Sequence, residues 1–136
     1  MWDARAEADR WRRQAANDLA FARVAVRERF YAQACFIAQQ AAEKAVKAIA
    51  YGLGDRAVLG HSLVTLISRY EDRARDLGDL RELAGILDQY YVPTRYPNGL
   101  AGGVPFEAFG ESQAAAAVDA AARFVQLAER NVQSPA

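Results

Sequence analysis

A run of strong helix formers without Gly or Pro extends from Phe30 to Tyr51, FYAQACFIAQQAAEKAVKAIAY, and it limits what this chain can fold into. At about 100° per residue, Gln33, Gln40, Glu43, Lys44 and Lys47 fall on one narrow stripe with Gln39 beside it. Ala34, Cys35, Ile37, Ala38, Ala41, Ala42, Ala45, Ala48 and Ile49 cover the remaining arc. A helix lying on a surface buries only a stripe, so an apolar arc this wide needs neighbours on most sides. The segment is expected to be the central helix of a bundle, or the seam of a dimer. Its alanines allow other helices to come close.

The gross composition mainly excludes. A chain of 136 residues is long enough for one domain, spanning 1–136, with a real core. Seventeen basic and seventeen acidic residues cancel, which is unlike the footprint of an autonomous nucleic-acid binder, although local basic patches stay open. The one cysteine, Cys35, lies among apolar residues of the central helix, so it reads as a core residue in a reducing compartment. No apolar run approaches the ~20 residues of a membrane span. A soluble, cytoplasmic protein with no membrane association is expected.

Along the chain, Ala8, Trp11, Ala15, Leu19, Ala22 and Val26 recur at three to four between Asp3 and about Arg29, predicting a long amphipathic first helix. Arg27, Glu28 and Arg29 make a polar corner before Phe30, so the turn into the central helix is expected nearby, and because no strong breaker marks it the boundary is set only to within several residues. Gly52 and Gly54 are expected to end the central helix in left-handed conformations, with a loop running to Gly60. His61 and Ser62 open a short third helix carrying Leu63, Leu66, Ile67 and Tyr70, closed by the charges of EDRARD. Leu77, Leu80, Leu83, Leu87 and Tyr90 predict a fourth helix that stops at Pro93. Pro93, Pro97, Pro105 and four glycines give 92–110 the character of a long loop, and its aromatics Tyr96, Phe106 and Phe109 imply that it packs. Ser112 is a plausible cap for a last helix with Val118, Ala121, Ala122, Val125 and Ala128 on one face, and the tail NVQSPA is expected to fray. The predicted fold is all-α: an up-and-down bundle of about five helices, with a long Pro/Gly loop before the last one.

These residues also form a series of short motifs in a fixed order. Asp18-Leu19 and Ala22 are followed by Gln39-Gln40-Ala41-Ala42-Glu43-Lys44-Ala45-Val46-Lys47-Ala48, then by His61-Ser62-Leu63, Leu87-Asp88 with Tyr90, and Arg95-Tyr96-Pro97-Asn98. The series resembles the HEPN domain family over nearly the whole chain. The resemblance implies a four- to five-helix bundle that often dimerises. It also implies a superfamily containing ribonucleases, nucleotide-binding domains and partners of minimal nucleotidyltransferases in two-gene, toxin–antitoxin-like systems. The ribonuclease members carry an Arg followed, after four to six residues, by a His. Here the matching arginine is Arg95, and YPNGLAGG follows it without a His. A formal match exists elsewhere, in Arg56 and His61, but in the loop before the third helix.

The residues themselves leave several site candidates. Gln40, Lys44 and Lys47 stand on a helix otherwise committed to burial, which suggests a groove beside the Arg95-Tyr96 loop that holds a phosphate or a base. Against this, Glu43 and Lys47 at i,i+4 read as an ordinary exposed helix pair. Arg95 could equally cap carbonyls at a helix C-terminus, with the tyrosines as lid packing. For catalysis, the weak candidates are His61, Arg56 and Arg95, the groups that would take a 2′-hydroxyl proton and sit beside a phosphate. His61 reads first as a helix-start residue that bonds backbone or packs. No metal-ligand spacing, phosphate loop or nucleophile elbow occurs, and no cofactor is expected. The polar stripe thus favours a module that binds nucleotide or RNA over an enzyme, and the resemblance implies that it is a homodimer that pairs with a minimal nucleotidyltransferase. A metal-independent endoribonuclease and a plain structural dimer are the alternatives.

Overall fold

Asp3 starts the chain's first helix by accepting a hydrogen bond from the Ala6 N–H on its side chain, and α1 runs Ala4–Arg27. The computed structural model describes residues 1–132. The break between the first two helices falls at Arg29, whose φ of +69° puts a non-glycine residue in the left-handed region. The Phe30 N–H then reaches back to the Ala25 carbonyl at 2.8 Å, closing the helix end in a tight hydrogen-bonded turn. The turn falls at the polar corner Arg27-Glu28-Arg29, as the sequence pattern predicts to within several residues, although nothing in Arg29 announces its left-handed conformation.

The central helix α2, Tyr31–Gly52, is buried on most of its circumference. Ala34, Ala38, Ala41, Ala42, Ala45 and Ala48 have no exposed surface, and α1 and α6 (Glu111–Asn131) pack against this helix. Small side chains allow such close approach. The α1–α2 pair is antiparallel: Trp11 near the start of α1 stacks on Tyr51 near the end of α2, while Asp18 pairs with Lys44. Gly54 has the positive φ expected after α2, and Gly60 at the end of the loop has one as well, but Gly52 does not; it stays in the last helical turn beside Ala8.

Ser62 caps α3, Leu63–Tyr70, and the leucines of this helix and Tyr70 are buried. The predicted fourth helix divides into a 3₁₀ segment, Arg75–Leu80, and α4, Arg81–Asp88. Leu77 and Leu80, three apart, eclipse each other in a three-residue turn, so their spacing suits 3₁₀ as well as α geometry. The 92–110 segment holds a 3₁₀ turn at Pro97–Gly99 and a one-turn helix, α5, at Pro105–Ala108. Proline at the first helical position explains both. Helix α6 begins at Glu111 with Gly110 as its cap residue, so Ser112 lies inside the helix. Val118, Ala121, Ala122, Val125 and Ala128 are buried as their spacing predicts.

Of the tail expected to fray, Asn131 is helical and Val132 is buried, and residues 133–136 lie outside the described residues. The described residues hold six α-helices and no strand, in the helical-bundle fold that the sequence predicts. None of the helices is long and apolar enough to cross a membrane.

Candidate functional site

The polar stripe of α2 divides between two neighbours. On one side Lys44 reaches across to Asp18 of α1. On the other, Glu43 turns toward the start of α3, where His61 Nδ1 lies 3.0 Å from its Oε1. Gln40 lies between them and is half-buried, with its amide nitrogen donating to Gln39 Oε1 at 2.7 Å. Gln39, fully buried, in turn donates to the His61 carbonyl at 3.0 Å. Two glutamines and a glutamate of α2 therefore fix both the backbone and the ring of His61.

Beneath this, Glu43 and Lys47 form an ion pair at 3.7 Å with both side chains out of solvent, and the Lys47 ammonium also lies over the Trp11 ring. The exposed-pair reading is wrong for these two residues. A buried carboxylate requires compensation, and Glu43 has it from an ammonium on one oxygen and an imidazole N–H on the other. His61 itself is 60% exposed on its side chain.

The His61 ring stacks on Tyr91, with centroids 5.0 Å apart and planes at 21°. Tyr91 is also the anchor for Arg95. The Arg95 Nε donates to the Tyr91 carbonyl at 2.8 Å, and its guanidinium lies 4.5 Å from the Phe36 ring centre, 4.7 Å from Tyr91 and 5.1 Å from Tyr96. Arg95 thus caps a carbonyl, in line with one reading of the sequence, and at the same time sits among three aromatic rings. Both Arg95 and Tyr96 are exposed.

Asp88 at the end of α4 holds this corner together. Its two oxygens accept from the Ser62 hydroxyl at 2.9 Å, the Leu63 N–H at 2.8 Å and the Val64 N–H at 3.1 Å, joining α4 to the N-terminus of α3. A hollow of about 310 Å³ lies alongside, lined by His61, Ser62, Asp88, Tyr91, Val92 and Pro93. The tight turn after it depends on Gly99, where an added Cβ would meet the Pro93 Cα at 2.9 Å. The roles of Glu43, Asp88, Tyr91 and Phe36 are not visible in the sequence pattern. A clue exists for Glu43: a carboxylate on a helix with so little polar arc is forced toward a buried partner.

The predicted candidates are therefore only partly gathered. Gln40, His61, Arg95 and Tyr96 lie on or beside one corner formed by α2, the start of α3 and the turn after α4. Lys47 joins it from below through Glu43, and Lys44 faces α1 instead. Arg56 packs over the Trp2 ring, which neighbours Tyr51 at the far end of α2, and so makes no pair with His61. A second hollow of about 320 Å³ is lined by Glu7, Arg10, Trp11, Gln14 and Lys44. Its cations are already paired, Arg10 with Glu7 and Lys44 with Asp18, which makes it the weaker candidate. Among the described residues no group of His, Cys, Asp and Glu could hold a metal ion.

Comparison with known proteins gives a consistent picture. The profile of the HEPN domain matches residues 8–131. A protein of Thermus thermophilus of known crystal structure is 34% identical, superposes with a TM-score of 0.87, and the match covers 93% of this chain and 98% of that one. An archaeal HEPN homologue is 32% identical with a TM-score of 0.77, over the same 93% and 98%. No curated protein matches.

Proposed function

The chain belongs to the HEPN domain family, and from that premise we propose that it is a binding module for nucleotide or single-stranded RNA, using the corner formed by Gln40, His61, Tyr91, Arg95 and Tyr96. One observation carries the reading: an exposed guanidinium held among Phe36, Tyr91 and Tyr96, beside an imidazole stacked on the same tyrosine. A cation supplies attraction for phosphate, and the exposed Tyr96 offers a ring for sequence-tolerant stacking of a base, worth about 1–3 kcal/mol. The adjoining hollow, about 310 Å³, is at the small end of ligand pockets and suits one base or nucleoside. Lys44 and Lys47, engaged by Asp18 and Glu43, contribute less than the sequence suggests. The family resemblance also predicts a homodimer and a minimal nucleotidyltransferase as protein partner, the finer part of the proposal.

The test is binding of ATP, GTP, CTP and a short unstructured RNA at moderate salt, by melting temperature and by titration calorimetry, on the wild type and Arg95→Ala. Saturable binding that weakens at least about tenfold in the variant, with its fold intact, supports the reading. An unchanged melting temperature at millimolar nucleotide together with no RNA binding refutes it and leaves a structural bundle.

A metal-independent endoribonuclease is the second reading, favoured by one observation. No His follows Arg95 in sequence, yet His61 comes to the same Tyr91 ring as Arg95 from another segment, both within about 5 Å of its centre. Equal RNA cleavage by wild type and His61→Ala, or none by either, rejects it.

A further inference from the structure

The chain has a single histidine, and its geometry restricts what that histidine can do. The Glu43 carboxylate is an acceptor only, so the 3.0 Å contact with His61 requires a proton on Nδ1, which donates to Oε1. Lys47 keeps the other carboxylate oxygen occupied at 3.7 Å, and the pair is buried, so Glu43 has no competing donor from solvent. Stacking on Tyr91 fixes the plane of the ring, and the Gln39 amide fixes its backbone carbonyl. In the neutral ring a proton on Nδ1 leaves Nε2 bare. That nitrogen belongs to a side chain that is 60% exposed and lines the 310 Å³ hollow beside Asp88, Tyr91 and Pro93.

We infer that Glu43 locks His61 in the Nδ1–H tautomer, so that Nε2 acts as a hydrogen-bond acceptor in the hollow and selects ligands that present an N–H or O–H donor there. This rests on the nucleotide-binding reading above. In a nucleotide the donor is the exocyclic amine of a base or the ribose 2′-hydroxyl, and a carbonyl at the same position is rejected because it would face a bare lone pair. Glu43 is a positioning residue: it touches the imidazole, not the ligand. The isolated imidazole has no such constraint, so the tautomer reports the contact directly.

Two experiments on the full chain test this. The first is nitrogen-15 NMR of histidine-labelled protein at pH 8.5, in which the lone His61 gives unambiguous ring signals. Wild type is expected to show the Nδ1–H pattern. In Glu43→Gln the amide oxygen turns to the Lys47 ammonium and the amide N–H₂ faces His61, so Nδ1 becomes the acceptor and the pattern inverts. A wild-type Nε2–H pattern overturns the inference.

The second is a titration with CTP, UTP and 2′-deoxy-CTP. The exocyclic amine of CTP is a carbonyl in UTP, and the deoxy form lacks one ribose hydroxyl. A loss of about tenfold for UTP assigns the donor to the base amine, and a similar loss for 2′-deoxy-CTP assigns it to the ribose; in either case the difference is expected to collapse in Glu43→Gln. Equal affinity for all three overturns the selectivity while leaving the binding site standing. No binding by any nucleotide or by RNA overturns both readings.

Discussion

Replacing Lys47 with Met keeps the length and most of the apolar stem of the side chain but removes the ammonium from a pair with almost no solvent contact. Breaking a buried ion pair by deleting one partner costs about 3–5 kcal/mol when the remaining charge is left uncompensated. Glu43 would not be left bare, because the His61 Nδ1–H still donates to it at 3.0 Å, and at 3.7 Å Lys47 contributes as a charge rather than as a hydrogen bond. The expected loss is therefore nearer about 2–3 kcal/mol. For a domain of this size that lowers the melting temperature by about 10 °C. Urea unfolding followed by circular dichroism measures the change at constant m-value. The double variant Lys47→Met with Glu43→Gln removes both charges and is expected to recover at least half the loss, a coupling that two independent sites would not show. A loss below about 0.5 kcal/mol in Lys47→Met would mean that the pair is solvated and that Glu43 does not depend on it.

Three other positions give sharp outcomes. Arg29→Gly relieves a non-glycine residue at φ +69° and is expected to change stability by up to about +1 kcal/mol, read as an upward shift of the urea midpoint; a decrease would mean that the Arg29 side chain makes a stabilising contact in the turn. Gly99→Ala drives a Cβ to 2.9 Å from the Pro93 backbone, so the turn carrying Arg95 and Tyr96 must shift; nucleotide or RNA affinity should fall while the melting temperature drops by only a few degrees, and unchanged affinity would detach this turn from the site. Burial lifts the Cys35 thiol from 9.0 to about 11, and burial also raises Tyr70 and Tyr90, with donation to Asp55 adding to the rise at Tyr70. Between these values the folded chain holds protons that the unfolded chain releases, so stability is intact below pH 9 and falls as pH rises toward 11. Cys35 alone accounts for about 3 kcal/mol of that fall, and Cys35→Ala should flatten the urea midpoint against pH; an equally steep slope in the variant would assign it elsewhere.

Periodicity reads the bundle well because apolar burial outweighs every other contribution to it, and the alanines and leucines that α2, α3 and α6 bury recur at helical spacing. It fails where the backbone, not the side-chain pattern, decides. Arg29 takes a left-handed conformation with no glycine to signal it, and Leu77 with Leu80 satisfies a 3₁₀ turn as readily as an α-helix. At the site, sequence identifies the polar stripe but not its direction. Glu43 and Lys44 are adjacent in the chain yet face different helices, and only the placement of Asp18 and His61 tells which goes where. Tyr91 carries His61 on its ring and Arg95 on both its ring and its carbonyl, a role that nothing in its local spacing assigns to it rather than to Tyr90. Contacts between segments some thirty residues apart leave no mark on local spacing.

The most direct measurement is calorimetric titration of a short unstructured RNA into the wild type and Arg95→Ala at two salt concentrations. If the guanidinium and its aromatic rings hold the ligand, the wild type binds saturably and weakens with salt, and Arg95→Ala loses at least about tenfold at an unchanged melting temperature. Equal affinity in both proteins would contradict this, and so would the absence of any binding.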